Sequence, residues 1–172
     1  MTTGVNAAGE ADPNGKRFFF SLAAGNYYSD SIQNQCGAQD AVIAYPARLA
    51  TSIDGVVAVG GIDRNNHLWA GSCKGAGVEL AAPAPDLFVA SVSSNDAYRY
   101  KPEAAASGTS WSAPYVAGIA ALLLELDPNR SPAELEALLK ASPSRADGIP
   151  VPVMPQREPP PASGPRRRSV RH

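Results

Sequence analysis

The chain has 172 residues, enough for one domain with a sizeable core, and 44% of them are hydrophobic. Only 18% are charged and the net charge is −1, which offers no overall basic field for nucleic acid. The longest apolar run, Val116 to Leu124, falls far short of the ~20 residues that cross a bilayer, so no membrane span is expected.

Met1 to Lys16 contain no basic stretch followed by an apolar one, so no signal peptide is visible. Strands are expected near Arg17–Ala24, Ala41–Ala44, Val56–Gly60, Val78–Ala81 and Phe88–Val92. The first and third are continuous apolar runs, the pattern of parallel strands covered on both faces. Ser110 to Leu126 reads as a helix that is apolar nearly all round, hence central and buried, with Pro114 in its first turn. Asp127-Pro128-Asn129 ends it. Ser131-Pro132-Ala133-Glu134 then opens a second helix with a capping box, and Leu135, Leu138 and Leu139 give it one apolar face.

From Ser142 the composition turns to Pro, Ser and Arg. Residues 1–141 are therefore expected to form the folded unit and 142–172 a disordered Pro/Arg-rich tail. The tail holds six Arg against Asp147 and Glu158, a net +4, while the remainder of the chain is −5. It reads as a solvated linker; contact with an anionic surface is the sharper alternative.

Gly108-Thr109-Ser110-Trp111-Ser112-Ala113-Pro114 is the most informative stretch. Gly108 permits a tight turn, and the apolar helix follows at once. Ser110 is thus delivered to a helix N-terminus, where free N–H groups and the helix dipole favour developing negative charge. That suits a nucleophilic serine whose chemistry creates an oxyanion. The plainer reading is a serine that merely caps the helix. A second signal is Phe18-Phe19-Phe20-Ser21-Leu22 running into Ala23-Ala24-Gly25-Asn26, a buried strand ending in a polar turn.

These stretches resemble the subtilisin-like serine proteases. Gly108, Thr109, Ser110, Pro114, Ala117 and Gly118 match that family's serine motif, and Ala23-Ala24-Gly25-Asn26 matches its oxyanion strand. Tyr45-Pro46-Ala47, Val56 to Asp63 and Val78 to Ala84 continue the likeness in order, with Ala47 and Ala84 where the family has glycine. Asn26 separates the chain from sedolisins, which place an Asp in the oxyanion hole.

The resemblance implies an α/β, partial three-layer fold with a mostly parallel sheet and a central helix carrying the serine. It implies a serine endopeptidase acting on polypeptides, with Ser110 as nucleophile and Asn26 as oxyanion donor. Ala23, Ala24 and Gly25 would wall the primary specificity pocket and Ala44 would sit at its base. No cofactor is implied, and structural calcium, bound in some relatives by loop carbonyls near Tyr-Pro, leaves no side-chain signature here.

The family's base and orienting acid, a His in His-Gly-Thr and an Asp in Asp-Ser/Thr-Gly, precede the oxyanion strand. Neither motif occurs in this sequence. Its two histidines are His67, in a polar turn, and the terminal His172. Asp12, Asp30 and Asp40 lie in loops with no evident partner. The chain is therefore expected to resemble the C-terminal half of a catalytic domain and to be inactive alone. A truncated gene product, a degraded paralogue, or half of a split enzyme with a complementary N-terminal partner all fit. The rival readings are a non-catalytic remnant that binds peptides or a subunit, and an interaction protein acting through its Arg-rich tail. Alone, the first strand and first helix should expose apolar surface and an unpaired edge, making the chain poorly stable or partner-dependent. Cys36 and Cys73 lie in two expected surface loops, and their spacing leaves both a bridge and free thiols open.

Overall fold

In the computed structural model, described for residues 17–27, 34–36, 43–87 and 106–155, the centre is the strand Val56–Ile62. Every residue of this strand, β2, is buried. It pairs in parallel with β1 (Phe20–Ala23) on one side and with β3 (Leu80–Pro83) on the other, giving the order β1-β2-β3. The register sets Phe20 opposite Val56 and Val59 opposite Leu80.

Alternate residues of β2 face opposite layers, as strand geometry requires. Val57 and Val59, with Leu80 and Ala82 of β3, pack under the helix α1 (Thr109–Leu126) through Val116, Ile119 and Ala120. Val56 and Ala58 face the other way, toward Ala24, Ile43, Ala47, Ala50 and Val78, where a short 3-10 helix (Ala47–Thr51) closes the layer. Because neither face meets water, continuous apolar sequence is what the strand needs. Two hydroxyls fasten α1 to the sheet: Ser21 donates to the Ala113 carbonyl at 2.8 Å, and Ser112 donates to the carbonyls of Ala82 and Pro83 at 3.0 Å each. The second helix, α2 (Pro132–Lys140), begins with the expected capping box. Its Glu136 carboxylate accepts the Gly55 N–H at 2.7 Å, at the entrance to β2.

Several expected boundaries shift. β1 begins at Phe20, not Arg17, because its partner strand begins at Val56. Ile43 and Ala44 are not a strand; they lead into the Tyr45-Pro46 turn, while residues 41 and 42 lie outside the described part. β2 runs two residues longer than expected. β3 starts later, at Leu80, because the Val78 N–H closes a turn onto the Gly75 carbonyl. The expected strand Phe88–Val92 lies outside the described residues, as do Asp12, Asp30, Asp40 and residues 156–172.

Helix α1 starts at Thr109, one residue earlier than expected, so Pro114 falls inside it, past the first turn. It is also not buried all round. Ala113, Val116, Ile119 and Ala120 are buried, whereas Trp111, Pro114, Tyr115, Ala117 and Gly118 are exposed.

The segment beginning at Ser142 was expected to be disordered, yet residues 145–150 form an antiparallel hairpin of β4 (Arg145–Ala146) and β5 (Ile149–Pro150). Asp147 and Gly148 both take positive φ, 48° and 86°, the conformation of a tight two-residue hairpin turn. Ala146 and Val151 pack onto Ile62 and Ala81. The Asp147 carboxylate accepts the Leu68 N–H at 2.9 Å, and Asn66 donates to the Arg145 carbonyl at 2.7 Å.

Candidate active site

Past Ala23 the chain leaves the sheet and passes through Ala24 and Gly25 to Asn26. Gly25 has φ +108°, and a Cβ there would lie 2.9 Å from both the Ala44 Cβ and the Cys73 sulfur. Both the backbone angle and the space therefore require glycine. Ala44 donates its N–H to the Ala24 carbonyl at 2.8 Å. The structure thus brings Ala24, Gly25 and Ala44 into contact.

Asn26 is buried, and its side chain is held by Thr109 from 83 residues away. The Thr109 N–H donates to Asn26 Oδ1 at 2.9 Å, and the Thr109 hydroxyl donates to the same oxygen at 3.1 Å. That hydroxyl in turn accepts the Gly25 N–H at 3.2 Å. With Oδ1 committed twice, the amide rotation is fixed and Nδ2 is the group left to donate.

Ser110 follows Thr109 as the second residue of α1 and is exposed. Gly108 occupies the N-cap position with φ 156°, so Ser110 is not the helix cap. N–H groups in a first helical turn lack intrahelical acceptors, and no acidic residue in this turn offsets their partial positive charge. An exposed hydroxyl and an oriented amide therefore lie at one helix end, with the Thr109 N–H already given to Asn26 and the Trp111 N–H to the Gly108 carbonyl. Thr109 belongs to the matched motif, but its link to Asn26 and Gly25 depends on tertiary contact that spacing does not reveal.

His67 sits on the exposed turn after β2, where its backbone N–H donates to Asp63 at 3.0 Å. That bond, followed by the one from the Asn65 N–H, keeps the Asp63 carboxyl below the usual aspartate range. Among the described residues, no group of three or more His, Cys, Asp or Glu is placed to hold a metal ion. The carbonyls of Ala44 and Pro46 accept N–H groups of the 3-10 helix, and the Arg48 guanidinium stands 5.2 Å above the Tyr45 ring. Cys36 and Cys73 are joined in a disulfide and are both buried, not in surface loops as expected.

A parallel sheet under a helix whose N-terminus presents a serine beside a fixed asparagine amide defines the subtilisin-like α/β class. The chain belongs to the subtilase family, whose Peptidase S8 profile matches residues 2–153. It is 34% identical to subtilisin DY of Bacillus licheniformis over 120 residues, which are 70% of this chain and 37% of that protein. It is 33% identical to an alkaline extracellular protease of Yarrowia lipolytica over 128 residues, 71% of this chain and 25% of that protein. The crystal structure of a cold-adapted subtilisin-like serine proteinase matches with a TM-score of 0.58 at 26% identity, over 82% of this chain and 46% of that one. The chain spans less than half the length of each of these relatives.

Proposed function

We propose that this chain carries the nucleophile and oxyanion site of a serine endopeptidase acting on polypeptides. The Ser110 hydroxyl attacks the scissile carbonyl carbon, and its proton passes to a base. The carbonyl oxygen, now negative, is held by Asn26 Nδ2 and the Ser110 N–H. Collapse expels the amine with a proton returned from the base, leaving an acyl group on Ser110 that water removes. Ala23, Ala24, Gly25 and Ala44 line the site for the substrate side chain that precedes the scissile bond. The observation that supports this most is the double hydrogen bond from Thr109 to Asn26 Oδ1, which commits the amide oxygen and leaves Nδ2 as the group to donate.

The base and its orienting carboxylate come from outside the described residues, supplied by a complementary segment. Without them a serine hydroxyl is a weak nucleophile, so the 172-residue chain alone turns over negligibly. The exposed apolar face of α1 favours a second reading, in which the chain only binds a peptide or subunit.

A fluorophosphonate probe separates the two. The purified chain and its Ser110→Ala variant are each exposed to it, alone and with lysate of the source cells. Labelling of Ser110 that appears only with lysate supports the split catalytic reading. Absence of labelling under both conditions leaves the binding reading.

A further inference from the structure

The sheet does not hold Asn26, since the last ladder pair of β1 is Ala23 with Val59. Two loops hold it instead. On one side, Gln35 Oε1 accepts the Asn26 N–H at 2.9 Å while the Gln35 N–H donates to the Asn26 carbonyl at 3.1 Å. Both backbone polar groups of Asn26 are thus used by one residue. On the other side, Asn26 bridges Ser72, the Cys73 N–H donates to the Gly25 carbonyl at 3.0 Å, and the Tyr27 N–H donates to the Gly71 carbonyl at 2.9 Å.

Cys36 adjoins Gln35 and Cys73 adjoins Ser72, and the disulfide ties these two loops together across a Cα–Cα distance of 5.4 Å. The bridge lies inside the fold, with Cys36 7% exposed and Cys73 fully buried, and the Cys73 sulfur fills the space beside Gly25.

We propose that Gln35 and the Cys36–Cys73 disulfide form a positioning clamp that fixes the Asn26 backbone, while Thr109 fixes its side-chain rotation. The proposal rests on the reading of Asn26 as the oxyanion donor for its catalytic consequence, but not for the clamp itself. Displacing a catalytic group by about an ångström can cost on the order of a hundredfold in rate. Gln35 and the two cysteines are therefore positioning residues, acting through Asn26 and not on substrate.

The reporter is amide hydrogen exchange at Thr109 in the full chain. This N–H donates to Asn26 Oδ1 and to neither Gln35 nor a sulfur. Val57 and Val59 in β2 serve as the reference for global stability. In Gln35→Ala and in Cys36→Ala/Cys73→Ala, Thr109 should exchange about tenfold faster relative to that reference, the effect of weakening one hydrogen bond. Gln35→Glu keeps an acceptor for the Asn26 N–H and should restore near-native exchange. Unchanged Thr109 exchange in Gln35→Ala, or a Gln35→Glu variant as fast as Gln35→Ala, overturns the clamp. Should the double cysteine variant unfold, Val57 and Val59 will exchange with it, and the Gln35 pair decides.

With source lysate, fluorophosphonate labelling of Gln35→Ala should show a lower maximal rate at an unchanged half-saturating probe concentration. If the native chain is never labelled, the oxyanion reading falls while the exchange data still decide the clamp.

Discussion

Asn26 has to accept and donate with the same amide. Asn26→Asp keeps the oxygen that Thr109 needs and removes the Nδ2 donor. At neutral pH it should lower fluorophosphonate labelling, measured with the complementary base present, by about a hundred- to a thousandfold. Its melting midpoint should stay near native, because the Thr109 bonds survive. A labelling rate within a few-fold of native would remove Asn26 from the oxyanion role. Ser110 and Asn26 stood out in the sequence because each lies in a short contiguous motif. Gln35 did not, since its bond to Asn26 follows no spacing rule that would mark it. The pairing of Cys36 with Cys73 became readable only when the fold brought their Cα atoms within bonding range.

At the scale of single elements, α2 shows how sequence and structure agree. Ser131, Pro132 and Glu134 announce the helix start, and the structure contains both reciprocal capping bonds. The Ser131 backbone N–H, and then its side chain, hold the Glu134 carboxyl below the usual glutamate range. A depressed acid contributes its stability above the unfolded value of 4.5 and loses it as pH falls through the folded value. Thermal melts of Glu134→Gln, which keeps an acceptor for Ser131, should therefore show a shallower decline than native on acidification. At the other end of α2, burial works against the Lys140 ammonium. Its bonds to Glu136 at 2.6 Å and Glu79 at 2.7 Å outweigh that and raise its pKa above 10.5. That contribution is complete below 10.5 and is lost as pH climbs through the raised value. Lys140→Met should melt lower than native at neutral pH, with the gap narrowing at strongly alkaline pH. Other elements were harder to read. β1 begins where its partner begins, at Phe20 opposite Val56, which no local pattern encodes. The hairpin at 145–150 hid in a Pro- and Arg-rich stretch, although Asp147-Gly148, a favoured hairpin dipeptide, was its signal.

At the scale of the whole molecule, the described residues divide into packed and exposed apolar surface. The inner face of α1 and both faces of β2 are packed, whereas Phe18 and Phe20 are each 46% exposed, Tyr115 44% and Trp111 37%. Among the described residues, β1 pairs with β2 alone, so its outer edge offers unpaired backbone groups. We expect the isolated chain to self-associate in sedimentation experiments. Phe20→Lys puts a charge at that edge at little cost to the core and should shift the distribution toward monomer. A native chain that sediments as a monomer at all concentrations would sink the expectation. This exposure was legible in the sequence, because Phe18-Phe19-Phe20 and the helix from Ser110 to Leu126 carry apolar residues on more than one face.

The contact between Thr109 and Asn26 also has a bearing on the order in which the molecule takes shape. Closing 83 residues of chain costs roughly 4 kcal/mol of loop entropy, against a net gain of about 1 kcal/mol from each hydrogen bond. The two bonds cannot draw the ends together unaided. The sheet and α1 must assemble first, and only then do asparagine and serine meet. During synthesis Asn26 emerges long before Ser110 and has nothing to orient it until the helix docks. A core defect outside the site, at Ile119 or Leu139 beneath α1, therefore disables it as surely as a change within it, with every residue of the site still in place.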